Sequence, residues 1–459
     1  MGILGVVILA RHGDREEFFQ DPYSYETAHT TLTPLGEAQE VQLGSFLRSQ
    51  YLNPDSPQFI NGISTDIAKD LQLLVRADNG AESGVIADSA VALLQGLYPP
   101  TPRSAAKLAN GTTIVGPFGG YQYIPIETVE PEQSIDLEGW TECPAFREHI
   151  QRFYDSPQFK KKAQESGRFL DELKPYLFGR SNNLENMWNI FDFINVNYIH
   201  NETFAFRLPP TFLEQARALA NFHELGVFTD KETDGIGNVA GRTILPSITG
   251  ALERIANPND PLSLVLEEIS YKPFLSLFNI TGIHAKYPDL QGIPEYASAI
   301  ALELRNNDEG ETYLRTKFKN GTTDSDFRTL HLFGHKEDIA LNEFVYRMNL
   351  AAIDGNQKWC GVCNQRTTRG CSICTDDVKG HPVPHVPTIE SGTDKPWAPL
   401  LGAQNLPFFA LFAFILAFFG VFKLYKSRRP RLQGYDPIPT AATYYDVPVS
   451  YPSMYKQGY

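Results

Sequence analysis

One feature constrains the fold of this chain more than any other. The apolar run Ile3-Leu-Gly-Val-Val-Ile-Leu-Ala10 stops abruptly against Arg11-His12-Gly13-Asp14-Arg15. The run has the length of a strand and is apolar on both faces of the pleat. It therefore predicts a central strand covered on both sides, as in sheets layered between helices. Polar side chains crowded at its carboxyl end fall where open α/β sheets gather ligands. Thr33-Pro34-Leu35-Gly36-Glu37 then supplies an N-cap, a first-turn proline and an early acid, predicting a helix to about Ser49. A second helix is expected from about Asp88 to Leu97, ahead of Pro99-Pro100. Strand, loop and helix in this order indicate α/β layers.

Helical periodicity takes over across residues 140–225, in FREHIQRFY and NLENMWNIFDFINV, and predicts an inserted helical cap. Strand patterns return after about residue 260 (LSLVLEEIS, ASAIALEL, FRTLHLFG). The expected organisation is an α/β domain in two parts, 1–139 and 226–356, with the cap at 140–225 between them. A Cys-rich segment and Pro-rich stalk (357–399), a transmembrane helix (400–422) and a basic cytoplasmic tail (423–459) follow. The sequence contains no internal repeat.

The span rests on LPFFALFAFILAFFGVF at 406–422; extended back to Leu400 it gives 23 uncharged residues, enough to cross a bilayer core. Lys423, Lys426, Arg428, Arg429 and Arg431 follow at once, which predicts a cytoplasmic tail and a lumenal or extracellular body. Sequons at Asn110, Asn201, Asn279 and Asn320 agree with a secretory body. A leader upstream of Met1 is expected, because the first strand runs into Arg11 without a cleavable spacer. The vacuole, the cell surface or another secretory compartment is the expected location. Tyr435-Asp-Pro-Ile resembles a tyrosine-based signal for sorting machinery. The net charge is −14; with the tail at +4, the preceding 422 residues sum to −18, which argues against a nucleic-acid partner.

Cys360, Cys363, Cys371 and Cys374 lie in WCGVCNQRTTRGCSIC. Two Cys-x-x-Cys pairs suit four-thiolate zinc, but an oxidising compartment favours disulfides, with Cys143 left to pair elsewhere or stay free.

The motif Arg11-His12-Gly13-x-Arg15, with LTPLGExQ at 32–39 and DSAVALLQGLYPP at 88–100, resembles the signature of the histidine acid phosphatases, within the wider phosphoglycerate mutase-like fold. The likeness covers roughly residues 3–365. It implies a three-layer α/β sheet domain, no cofactor and no metal, and a phosphorylated small-molecule substrate. It also implies that His12 is the nucleophile and that Arg11 and Arg15 bind the phosphoryl oxygens, roles that suit a neutral imidazole and forked guanidinium groups. Gly13 would let the backbone turn tightly and keep space beside the phosphate.

Two departures from the family pattern stand out. The arginine that precedes the second helix in active members is missing at Gly84 and Val85; Arg76, in LLVRADNGAESG, is the nearest substitute for the phosphate clamp. The late His-Asp pair, whose acid protonates the leaving alcohol, reads Tyr271-Lys272 in LVLEEISYKPFLSLFNITG. The proton donor is thus unidentified, with Tyr271, Lys272, Glu267, Glu268, Asp14 and Glu16 as alternatives. His331 and His335 are read as surface or strand-edge residues. Two functions follow: a membrane-anchored acid phosphatase, or a catalytically degenerate relative that binds phosphorylated ligands or serves a surface or sorting role.

Overall fold

The computed structural model describes residues 2–80, 84–129, 135–307 and 309–374, all within one compact unit. The expected stalk, transmembrane run, tail and Tyr435 signal lie outside the described residues. No described helix is long and apolar enough to cross a membrane.

The strands are β1 (Gly2–Arg11), β2 (Leu73–Asp78), β3 (Ala105–Lys107), β4 (Thr113–Val115), β5 (Glu127–Val129), β6 (Leu264–Ile269), β7 (Ala299–Asn306), β8 (Thr312–Lys319), β9 (Arg328–Leu330) and β10 (Ile339–Ala340). β3 and β4 form a separate, fully exposed hairpin. The main sheet runs β10-β8-β7-β1-β6-β2-β5, with β9 beside β8. β1 pairs parallel with β6 and antiparallel with β7, so its carboxyl end lies where the strand direction changes. That is the position at which such sheets open a crevice.

The principal helices are α1 (Pro34–Tyr51), α2 (Val85–Leu97), α3 (Pro144–Asp155), α4 (Pro157–Leu173), α5 (Met187–His200), α6 (Phe212–Phe228), α7 (Val239–Ala256), α8 (Lys272–Ile280), α9 (Leu341–Ala351) and α10 (Gly355–Cys363). Alternation along β1 explains the layers. Val6, Ile8 and Ala10 pack with α1 and α2, whereas Val7 and Leu9 pack with α7, α8 and α9. Between β5 and β6 every described α-helix belongs to a long helical stretch. Helices α3 to α6 in it share a third core, which also takes in Phe18 and Tyr25 from the loop after β1.

Thr33 caps α1 as its sequence predicts, its hydroxyl accepting from the Gly36 N–H at 3.1 Å. Gly13 also serves close packing. Its φ does not lie in the left-handed region. A Cβ there would meet the Gly36 carbonyl oxygen at 2.5 Å, and one on Gly36 would meet that of Asp14 at 2.1 Å. The two glycines let the first turn of α1 rest directly on the Arg-His-Gly loop.

The cysteines form Cys143–Cys363 and Cys360–Cys371. Three of the four clustered sulfurs are thereby consumed, which overturns the zinc alternative. Cys143 is also not the odd cysteine: its bridge joins the start of α3 to α10 across 220 residues.

Candidate active site

The site is assembled where β1 and β6 end side by side. Arg11 lies opposite Ile269 in the register, and the chain then turns through Ser270 and Tyr271 into α8. The strand–helix junction read from the sequence therefore adjoins the His12 loop.

His12 is fully buried. Its Nδ1 lies 2.8 Å from the Gly13 carbonyl oxygen. A carbonyl only accepts, so Nδ1 carries the hydrogen and Nε2 is the nitrogen with the lone pair. The loop is held tightly: the Gly13 N–H donates to the Ser89 hydroxyl at 3.2 Å, and the Ala297 N–H donates to the His12 carbonyl at 3.2 Å.

Arg11 and Arg15 flank His12, both nearly inaccessible. Arg11 donates to the Pro294 carbonyl. Arg15 makes a forked pair with Asp192 of α5, at 2.9 and 3.3 Å, and lies 4.0 Å over the Phe18 ring. Its fork thus already grips a carboxylate, which the sequence did not foretell. Tyr296, also unforeseen, is the common neighbour of all three residues. Its ring centre lies 4.3 Å from the Arg11 guanidinium, 5.9 Å from that of Arg15 and 5.6 Å from the His12 ring. Burial keeps its phenol protonated well beyond the usual range. The next residue, Ala297, has φ of 55°, a strained conformation for a residue with a Cβ.

Arg76 is not brought to this loop. It lies on β2, an interior strand between β6 and β5. Alternation turns Arg76 toward α7, where it bonds Ser247 and Asp136 at 2.8 Å and lies 3.5 Å from Glu127 and 3.8 Å from Glu267. Its guanidinium is committed to these partners, none of which belongs to the His12 loop.

The alternative proton donors separate clearly. Tyr271 is buried, its hydroxyl donating to Glu224 at 2.7 Å while it accepts from Gln20 at 3.3 Å. The Lys272 ammonium lies 5.1 Å from the Trp140 ring centre. Glu267 faces Ser247 and Arg76 on the α7 side, and burial raises its carboxyl to about 7. Glu268 points to the opposite face, where burial holds it and Glu40 well above the usual carboxylate range, the Glu268 charge raising Glu40 further. Glu16 is exposed at the surface. Asp14 alone among the carboxylates considered is built into the loop beside His12. Its Oδ2 accepts from the Thr33 hydroxyl at 2.5 Å and from His200 Nε2 at 2.7 Å.

The cap helix α5 organises these contacts. Asn189, Asp192 and His200 bond Gln20, Arg15 and Asp14 in turn. Asp192 and His200 are two helical repeats apart, and so share one face. His335, by contrast, bonds Glu343 at 3.1 Å near β10, remote from this helix.

No family model matches the chain. Bovine (Bos taurus) prostatic acid phosphatase is 25% identical over 389 residues, covering 81% of this chain and 89% of that protein. Human (Homo sapiens) lysosomal acid phosphatase is 24% identical over 330 residues, covering 69% and 70%. The chain is thus similar, over most of its length, to acid phosphatases. Solved structures of phytases share its fold at lower identity. The Klebsiella phytase aligns with a TM-score of 0.54 at 11% identity, covering 78% of this chain and 97% of that one. The Citrobacter braakii phytase gives 0.52 at 13%, covering 77% and 98%.

Proposed function

We propose that this histidine acid phosphatase relative hydrolyses phosphomonoesters through a phosphohistidine at His12. The observation that carries the reading is the placement of His12. It sits at the end of a central strand, its Nδ1 hydrogen fixed on Gly13, with Arg11 and Arg15 beside it. Nε2 attacks phosphorus, the two guanidinium groups draw charge from the phosphoryl oxygens, and water then releases phosphate from the nitrogen. The relatives' names, acid phosphatases of lysosome and prostate, support a phosphomonoesterase working in the secretory pathway. Anchoring through residues 400–422, with the body lumenal or extracellular, is supported by the apolar run and its basic flank. A role for Tyr435 in sorting is part of the same reading.

A second reading rests on the Tyr271-Lys272 sequence at the His-Asp position and on Arg15, whose fork is already held by Asp192. Both favour a binder with weakened catalysis. Release of phosphate from an aryl and an alkyl ester between pH 4 and 7, beside His12→Ala, separates the two. Turnover that vanishes in the variant supports the enzyme. Binding of inorganic phosphate without turnover supports the binder.

A further inference from the structure

The geometry points to His200 as the proton donor that the Tyr271-Lys272 substitution removed, with Asp14 as its positioning residue; this rests on the phosphatase reading above. His200 ends α5 and reaches back to the loop, its Nε2 at 2.7 Å from Asp14 Oδ2. A carboxylate only accepts, so Nε2 carries a hydrogen and the ring is held in one orientation, with Nδ1 as the second site for a proton. This is the logic by which a buried acid orients a histidine acid–base.

Three further observations fit that role. Asp14 is fully buried, whereas the His200 side chain is 35% exposed, so the pair connects the closed loop to solvent. Such access lets the alcohol leave past the donor and the hydrolytic water enter. Asp14 is held in the loop beside His12 by α1: its N–H donates to Gln39 at 2.9 Å and its carbonyl accepts from the Thr33 N–H at 3.1 Å. Finally, Asp14 Oδ1 is buried and has no hydrogen-bond partner among the described residues, leaving an acceptor beside His12. A water or a substrate hydroxyl would satisfy it.

The step balances. His12 Nε2 forms the N–P bond as the P–O ester bond breaks, and the departing alkoxide takes the Nδ1 proton of the His200 imidazolium. In the second half, water attacks the phosphohistidine and gives its proton to neutral His200. Inorganic phosphate leaves, and both histidines return to their starting states. Histidine suits this exchange in weakly acidic solution better than the buried Tyr271 or Lys272.

The test uses the full chain in detergent with two probes, p-nitrophenyl phosphate, whose leaving group needs little protonation, and glycerol 2-phosphate, whose alkoxide needs it. In His200→Gln, kcat for glycerol 2-phosphate should fall ~10²–10⁴-fold while the aryl ester loses under about tenfold. Melting beside wild type distinguishes this from unfolding. His200→Ala, which leaves room for a small base, should regain alkyl turnover with added imidazole. Equal losses on both esters, or no loss on either, would overturn the assignment while leaving the phosphatase reading intact. A wild-type chain that cleaves neither ester above His12→Ala overturns both.

Discussion

The Arg15–Asp192 pair offers a stringent check on how the cap holds the Arg-His-Gly loop. Both side chains are at most 5% exposed, and the carboxylate accepts two bonds from the fork and one from the Phe18 N–H at 3.4 Å. In Asp192→Ala the guanidinium keeps, among others, the Glu16 carbonyl at 3.0 Å and the Phe18 ring, but loses the Asp192 carboxylate. Removing one member of a buried pair costs ~3–5 kcal/mol, about two to four decades in the folding equilibrium. Much of that cost is the stranded charge rather than the bond itself. Arg15→Met/Asp192→Ala should therefore recover most of the loss, since an apolar chain of similar length needs no partner. Urea unfolding followed by tryptophan fluorescence reads this directly, because Trp188 lies 5.8 Å from the Arg15 guanidinium. A single-mutant cost below about 1 kcal/mol, or a double mutant no better than the single, would refute the argument.

Other outcomes follow from the same physics. Glu267 has a folded-state pKa of about 7 against an ordinary 4.5, so the folded form holds its proton more tightly. That stability is fully present below pH 4.5 and lost as pH rises through 7, a decline of ~3 kcal/mol that Glu267→Gln should flatten in urea titrations at both pH values. Cutting Cys143–Cys363 by paired Ser substitution should cost ~5 kcal/mol from loop closure over 220 residues and lower the melting temperature; an unchanged melt contradicts it. Arg76→Met should lower stability yet leave KM for aryl phosphate within about twofold, whereas a phosphate ligand would raise KM about tenfold or more. In secreted material, peptide mass spectrometry should find glycan at exposed Asn110 and Asn201. It should find none at Asn279, whose amide donates to the Asp230 carbonyl at 2.7 Å and to Asn238 at 3.0 Å.

What the sequence revealed was local. An apolar strand, a charged loop and a capped helix are adjacent in the chain, so β1, Arg11-His12-Gly13 and α1 could be read directly. The Tyr271-Lys272 junction could be placed because the strand and helix patterns around it are strong. The partners of Arg76 were not legible, because Asp136 and Ser247 reach it from 60 and 171 residues away. Asp192, His200 and Tyr296 reach the site from 177 or more residues away, and no spacing rule connects them to Arg15 or Asp14. A partial signal did exist: Asn189, Asp192 and His200 recur at helical spacing on an otherwise apolar stretch, a pattern that asks for buried polar partners. Disulfides among the clustered cysteines were expected, but the Cys143 partner was hidden for the same reason of distance.

The central claim is that His12 carries the phosphoryl group. Rapid quenching of the full chain with p-nitrophenyl phosphate, followed by peptide mapping in alkali, tests it most directly. The account predicts a burst of up to one phosphate per chain on His12, stable to base, labile to acid and absent from His12→Ala. Steady turnover with no such intermediate, or an intermediate that persists in the variant, would contradict it.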